Sequence, residues 1–210
     1  MNAPASAPLL ANHLCVVDDD EAVRRSLGLL LLSRGHAVQA FASGEAFLAG
    51  ADLQRPGCAI LDLRMEGMSG LQVFDALRAQ DSPLVVIFLS GHGDIPIAVD
   101  AVQNGAFGWL EKPCSDERLL DTIAKALHKA EEVAVRRQAR QAAQALWAKL
   151  TPREMQVARL VAEGLPNKRI AQELAPLELR TVETHRAHMF AKLGFSSSLE
   201  LDRFLREHGL

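Results

Sequence analysis

From residue 13 to about residue 128, short continuous apolar runs alternate with longer amphipathic segments. Apolar runs of this length predict β-strands, and amphipathic segments with a helical period predict α-helices. The predicted strands are HLCVV (13–17), AVQAF (37–41), CAILD (58–62), LVVIFLS (84–90) and FGWLE (107–111), and the predicted helices begin near Glu21, Gly44, Gly70 and Ile95 and after Ser115. Strands that are apolar throughout, rather than at alternate positions, indicate a parallel sheet covered on both faces.

Five successive βα units within residues 13–128 predict an α/β flavodoxin-like doubly wound domain with a five-stranded parallel sheet. In such domains the binding site lies at the carboxyl ends of the strands. The residues that follow the predicted strands are therefore the first candidates for function.

Charged and hydroxyl side chains follow four of the five predicted strands. They are Asp18, Asp19 and Asp20 after strand one, Asp62 at the end of strand three, Ser90 at the end of strand four and Lys112 after strand five. Carboxylates a few Å apart repel one another by roughly a few kcal/mol per pair at an effective dielectric constant near 20. Either a hard divalent cation or a proton relieves that repulsion, and the oxygen-only donor set points to Mg²⁺.

Each of these residues also has an ordinary structural explanation. An aspartate after a strand is usually a turn residue or a helix N-cap, and an acidic triplet is often a helix N-terminus favoured by the helix dipole. A Lys-Pro pair is usually part of a solvated loop. Their joint occurrence at four strand ends of one sheet is what favours a functional site.

Length and composition indicate two soluble globular domains, because the 210 residues are 49% hydrophobic and carry a formal net charge of −3. The three cysteines have no pairing pattern, which predicts reduced thiols. Apolar runs such as LVVIFL are too short to span a bilayer, and residues 1–12 lack the basic segment of a signal peptide. We therefore expect a flexible tail over 1–12, no membrane contact and a cytoplasmic location.

The second part of the chain differs from the first in charge and in pattern. Residues 1–130 carry a net charge of −6, and residues 131–210 carry +3, which suggests a polyanion as partner of the second part. A long helix is predicted over 116–149, with residues 129–149 as a helical linker. Four short helical segments over 150–210 then predict an all-α domain with a helix-turn-helix pattern.

The first domain resembles the receiver domain of two-component response regulators of the FixJ group in DDDEAVR, LDLRM, GMSG, SGHGDIPIAV and EKP. The resemblance implies that Asp62 accepts a phosphoryl group from a histidine kinase. It further implies that Mg²⁺ is held by Asp18, Asp19, Asp62 and the backbone carbonyl of Arg64, and that Lys112, Ser90 and Trp109 form the phosphoryl-binding and switch residues. The resemblance also implies that the protein is not an enzyme but a phosphoacceptor with at most weak autophosphatase activity.

The second domain, residues 150–210, resembles the LuxR-type DNA-binding domain in LTPRE, GLPNKRIAQEL, RTVETHRAH and KLG. The resemblance implies that the helix beginning near Arg180 enters the major groove of promoter DNA. The implied contacts with bases and phosphates are made by Lys168, Arg180, Thr181, Glu183, Thr184, Arg186, Ala187, His188 and Lys192. Phosphorylation would favour a homodimer through residues 94–111, and RNA polymerase would be a further partner.

Three positions depart from the family patterns. Glu66 stands where receivers usually have proline, and Trp109 replaces a smaller aromatic residue. The turn APLEL at 175–179 is one residue longer than usual, contains Pro176 and lacks the serine that normally caps the recognition helix.

Two alternative functions share features with this sequence. An aspartyl-phosphate phosphatase of the haloacid dehalogenase type needs a second aspartate two residues after its nucleophile, and Arg64 occupies that position. A regulator whose helical domain contacts protein instead of specific DNA is the other alternative, and salt-sensitive binding to one duplex sequence would exclude it.

Overall fold

In the computed structural model the described residues are 13–91, 95–175 and 177–210, without the side chains of residues 95 and 96. The chain divides into two compact units, with the division between Val135 and Arg136. The predicted tail over 1–12, the start of the predicted dimer segment and Pro176 lie outside the described residues.

The first unit is an α/β domain whose five parallel strands have the order β2-β1-β3-β4-β5. Its elements are β1 (Leu14–Val17), α1 (Glu21–Ser33), β2 (Val38–Phe41), α2 (Gly44–Gly50), β3 (Gly57–Asp62), α3 (Gly70–Ala79), β4 (Leu84–Ser90), α4 (Ile95–Gln103), β5 (Gly108–Glu111) and α5 (Asp116–Trp147). The predicted doubly wound fold is confirmed, and the predicted strand bounds differ from these by one residue at most.

Burial explains why the apolar strands are continuous. Every residue of β1, β3 and β4 is buried, because an apolar cluster lies on each face of the sheet. The edge strand β2 instead exposes Gln39 and Ala40. The strands β1 and β3, whose ends carry the candidate aspartates, and β4, which ends in Ser90, are therefore buried along their whole length.

Helix α3 starts immediately after the loop that follows Asp62, and its start depends on two residues. The Ser69 hydroxyl accepts a hydrogen bond from the amide of Gln72, and the Gln72 side chain accepts one from the amide of Ser69, which forms a capping box. A Cβ atom on Gly70 would lie 2.2 Å from the carbonyl oxygen of Asp62. Glycine at position 70 therefore lets the helix approach the end of β3.

The second unit contains four helices after the end of α5: α6 (Pro152–Ala162), α7 (Asn167–Glu173), α8 (Leu179–Leu193) and α9 (Ser198–His208). Thr151 caps α6 with a capping box to Glu154, as its sequence pattern predicts. Trp147, Val157, Met189 and Leu201 belong to its apolar core. The predicted linker segment is helical as far as Trp147, while its predicted bounds at 129 and 149 stay a prediction.

Within the described residues, no helix combines the length and the apolar character needed to cross a membrane. The three cysteines, all in the described part of the chain, form no disulfide.

Candidate functional site

An acidic cluster lies at the carboxyl ends of β1 and β3. The register pairs Val17 with Leu61, so Asp18 and Asp62 follow at neighbouring positions of adjacent strands. Carboxylate oxygens of Asp18, Asp19 and Asp62 all lie within 4.8 Å of one another. Asp18 and Asp62 are only 1% and 7% exposed, whereas Asp19 is exposed. The predicted convergence of these three carboxylates is thus what the parallel register produces.

Lys112 reaches the cluster from the end of β5, across β4. Its Nζ donates to Asp18 Oδ2 at 2.6 Å and to Asp62 Oδ1 at 2.8 Å. The other Asp62 oxygen, Oδ2, accepts a hydrogen bond from the amide of Arg64 at 3.1 Å, and Asp18 Oδ1 accepts one from the amide of Asp20 at 2.9 Å. One ammonium group therefore bridges two buried carboxylates.

The titration of these groups follows from burial and charge. Burial raises the pKa of Asp62, and the neighbouring Asp18 raises it further, against the lowering effect of the Lys112 ammonium. Burial opposes the charge of Lys112, but its hydrogen bonds to Asp18 and Asp62 outweigh burial and raise its pKa. The lysine therefore stays protonated, and the free energy of ionising Asp62 is higher than that of an exposed aspartate.

The donor set fits a hard divalent cation. The three clustered carboxylates offer only oxygen atoms, which Mg²⁺ prefers, and one ammonium leaves their total charge negative. Among the described residues no other group of three histidine, cysteine or acidic side chains is close enough to share a metal ion.

The other two predicted switch residues, Ser90 and Trp109, lie on β4 and β5. Ser90 ends β4 and is 1% exposed, and its carbonyl oxygen accepts a hydrogen bond from the amide of Lys112. Trp109 pairs with Phe88 in the sheet and contacts its ring, with centroids 5.5 Å apart. Because Phe88 and Ser90 are two residues apart on one strand, Ser90 and Trp109 share a face of the sheet.

Two hydrogen bonds that hold the loop after Asp62 are not predicted by the sequence. Glu45, in the first turn of α2, accepts a hydrogen bond from the amide of Met68 at 2.9 Å. Asp19 accepts one from the amide of Glu66 at 3.0 Å. At position 66 the sequence shows only that proline is missing, and it does not indicate a partner for the backbone amide. An acidic residue at the start of a helix, such as Glu45, likewise gives no indication of a distant partner.

In the second unit, helix α8 has a buried face and an exposed face. Val182, Met189 and Leu193 are buried, as their spacing predicts. The exposed face carries Arg180, Glu183, Thr184, Ala187, His188 and Lys192, while Thr181 and Arg186 are half-buried and Lys168 is exposed on α7. Most of the residues predicted to contact DNA therefore lie on one accessible side of α8.

Two of the predicted cations are engaged within the unit. Arg186 Nη1 donates to Asn167 Oδ1 at 3.1 Å, and its guanidinium lies 5.6 Å from the ring centroid of Phe190. Lys192 Nζ donates to Glu154 Oε2 at 2.6 Å. These side chains tie α8 to α7 and to the start of α6, a role that their positions on the helix did not predict.

The site geometry agrees with two family matches. The model of the response regulator receiver domain matches residues 14–124, and the model of the luxR family of bacterial regulatory proteins matches residues 148–205. The chain belongs to the response regulators.

Similar proteins span nearly the whole chain. The C4-dicarboxylate transport transcriptional regulatory protein DctR of Rhodobacter capsulatus is 46% identical over 190 residues, covering 90% of this chain and 96% of its own. FixJ of Bradyrhizobium diazoefficiens is 39% identical over 198 residues, covering 94% and 96%. The solved structure of the response regulator StyR has a TM-score of 0.76 at 36% identity, covering 94% of this chain and 99% of its own.

This response regulator thus combines a receiver domain with a LuxR-type DNA-binding domain, and it is a DNA-binding transcriptional regulator of a two-component system. Its relatives are transcriptional regulators and not phosphatases. The receiver implies a sensor kinase as partner, and the second domain implies DNA.

Proposed function

We propose that Asp62 accepts a phosphoryl group from the sensor histidine kinase and that this modification strengthens promoter binding by α8. The observation that carries the proposal is the bridging ammonium of Lys112, 2.8 Å from Asp62 Oδ1 and 2.6 Å from Asp18 Oδ2. A buried carboxylate with a fixed ammonium beside it is suited to receive a group that brings further negative charge.

The transfer is a displacement at phosphorus. An oxygen of the Asp62 carboxylate attacks the phosphohistidine of the kinase, the new O–P bond forms, and the P–N bond breaks. The imidazole leaves with the electron pair of that bond and takes up a proton. Lys112 stabilises the charge on the phosphoryl oxygens, and the hydroxyl of the buried Ser90 donates to one of them.

Asp18, Asp19 and Asp62, with the backbone carbonyl of Arg64, would hold Mg²⁺ in this proposal. The carboxylate oxygens of the three aspartates, hard donors within 4.8 Å of one another, support the assignment. When bound, the ion supplies positive charge against the phosphoryl oxygens.

Phosphorylation adds up to about two negative charges and three acceptor oxygens at one point. We propose that Ser90 then moves toward the phosphoryl group, that the Trp109 ring shifts with it, and that homodimers form through residues 94–111. Two copies of α8 would then contact one operator, with RNA polymerase as a further partner. Slow autophosphatase activity and a cytoplasmic location complete the proposal.

In the DNA-binding half, Thr184 and Ala187 would face base edges in the major groove, with Glu183, His188 and Thr181 beside them. Lys168, Arg180 and Arg186 would contact phosphates. Lys192 would contribute less to phosphate binding, because its ammonium group is already paired with Glu154. Its side chain is 37% exposed, so the ammonium group remains accessible to DNA.

The decisive experiment selects bound sequences from a random duplex pool. The full-length protein is compared with and without beryllofluoride and Mg²⁺, beside Asp62→Ala and the matched control Asp75→Ala, whose carboxylate is exposed on α3. We expect enrichment of one sequence that increases with beryllofluoride in the wild type and in the control, and stays constant in Asp62→Ala.

Enrichment that is equal in all states would refute the switch while leaving specific DNA binding intact. No enrichment in any state would favour the protein-contact alternative.

A further inference from the structure

The loop from residue 63 to residue 69 follows the predicted phosphoacceptor, and position 66 in it is unusual. Receivers usually carry proline there, and this chain carries glutamate. Proline has no backbone N–H, so the substitution adds a hydrogen-bond donor to the loop as well as a side chain. Any role of this donor at the metal site rests on the proposed function of the acidic cluster.

The added donor is used. The amide of Glu66 donates to Oδ2 of Asp19 at 3.0 Å, between residues that are 47 positions apart in the chain. The Glu66 side chain is exposed, so its carboxylate is not what joins the loop to the cluster. A proline at position 66 would leave Asp19 without this hydrogen bond.

Asp19 is the member of the cluster for which such a bond has most effect. Asp18 and Asp62 are buried and held by Lys112, whereas Asp19 is exposed at the rim. An exposed carboxylate that is held by fewer neighbours samples more rotamers. Binding an ion restricts it to one rotamer, which costs conformational entropy. A hydrogen bond from a fixed amide reduces that entropy loss.

The amide of Glu66 is itself fixed by the next residues. Gly67 has φ of +78°, and a Cβ atom there would lie 2.8 Å from Glu45 Oε1. That same oxygen accepts the amide of Met68 at 2.9 Å. The loop is therefore held to α2 through the amide of Met68 and to Asp19 through the amide of Glu66. These two hydrogen bonds set the direction of the Glu66 N–H.

We propose that Glu66 is a positioning residue for the metal site, acting through its backbone N–H, which orients Asp19 for Mg²⁺. The proline of other receivers cannot perform this role. Hydrogen bonds that orient a metal ligand typically change affinity by about 10-fold or more when they are removed. The effect belongs to the amide and is independent of the glutamate charge.

The test compares Glu66→Pro with Glu66→Ala in the full-length protein. Both variants lose the carboxylate, but only proline loses the N–H, so alanine is the matched control. Titration calorimetry with MgCl₂ measures the dissociation constant, and urea unfolding without Mg²⁺ checks that the loop change leaves the fold intact. We expect Glu66→Pro to bind Mg²⁺ about 10-fold more weakly than Glu66→Ala, with equal urea midpoints.

A second pair of variants separates the hydrogen bond from other effects of proline on the loop. In an Asp19→Ala background the acceptor is absent, so Glu66→Pro and Glu66→Ala should bind Mg²⁺ equally. A persistent difference there, or equal affinities in the wild-type background, would overturn the proposal. Loss of phosphoryl transfer to Asp62 with normal Mg²⁺ binding would instead count against the proposed function alone.

Discussion

The ionisation of Asp62 opposes folding, because burial and the nearby Asp18 raise its pKa. A raised pKa means that the folded state binds the proton more tightly than the unfolded chain does. Protonated Asp62 therefore stabilises the folded state, and this contribution is fully present below the pKa of Asp62 in the unfolded chain, about 4. The contribution is lost as pH rises through the higher pKa of Asp62 in the folded state. In the proposed function, bound Mg²⁺ would offset this unfavourable negative charge, and the Asp62 carboxylate would act as the nucleophile.

We therefore predict that Asp62→Asn increases the free energy of unfolding relative to the wild type, in the absence of Mg²⁺, by an amount that grows between pH 4 and pH 7. Urea unfolding at several pH values measures this difference. Asp75→Asn on the exposed face of α3 serves as control and should leave the pH dependence unchanged. A difference for Asp62→Asn that is constant with pH would contradict the prediction.

Glu154 is a buried carboxylate whose pKa is lowered, in contrast to the raised pKa of Asp62. Burial opposes its ionisation, but hydrogen bonds from Lys192 and from Thr151 outweigh burial and lower its pKa from 4.5 to about 2. A lowered pKa means that its stabilisation is present above the unfolded value and is lost as pH falls toward the folded value. This residue therefore stabilises the DNA-binding unit at neutral pH.

Replacing Glu154 with glutamine should lower the free energy of unfolding of that unit by about 2 kcal/mol at pH 7, since a charged hydrogen bond to a buried group is lost. The loss should shrink as pH falls from about 4.5 to 2. Chemical unfolding followed by circular dichroism measures it. Glu207→Gln, which removes the exposed pair with Arg203, should leave the free energy of unfolding almost unchanged, because solvent screens that pair.

At the scale of elements, the recognition helix α8 begins without a side-chain cap. Its N-cap is Glu178, whose side chain makes no capping hydrogen bond, although its backbone is extended as a cap requires. Helix α9 in the same unit begins at Ser197, whose side chain accepts the amide of Glu200. The missing serine noted in the sequence therefore has a structural counterpart.

We predict that Glu178→Ser stabilises the DNA-binding unit by about 0.5–1 kcal/mol, because serine would satisfy one of the free amides of the first turn. Ser197→Ala is the reciprocal control and should destabilise the unit by about 1 kcal/mol. Thermal and urea unfolding measure both changes. An unchanged or lower stability of Glu178→Ser would show that the longer turn does not admit the cap geometry.

At the scale of the whole molecule, the positive net charge of residues 131–210 predicts that DNA affinity depends on salt concentration. Each phosphate contact releases counterions, so the logarithm of the affinity falls with the logarithm of salt by about 0.9 per contact. We predict that Lys168→Ala and Arg180→Ala each reduce this slope by about 1. Fluorescence anisotropy over a range of salt concentrations measures it.

The matched control is Lys125→Ala, which removes an exposed cation paired with Asp121 on α5. Its slope should equal that of the wild type. A slope that falls equally for all three variants would mean that total charge, and not contact by α7 and α8, governs binding.

The pattern of residues predicted the doubly wound sheet and the gathering of Asp18 and Asp62, because both follow from local rules. Continuous apolar strands require a parallel sheet, and parallel strands bring their carboxyl ends to one edge. The buried face of α8, with Val182 and Met189, followed in the same way from helical spacing.

Contacts between distant side chains were decided only by the tertiary structure. The amide of Glu66 meets Asp19 across 47 residues, and Lys112 reaches past β4 to bind Asp18 as well as Asp62. Lys192 binds Glu154, although the family resemblance implies that Lys192 contacts DNA. Such pairs depend on the rotamers and the exact separation of packed elements, which periodicity and residue type leave open.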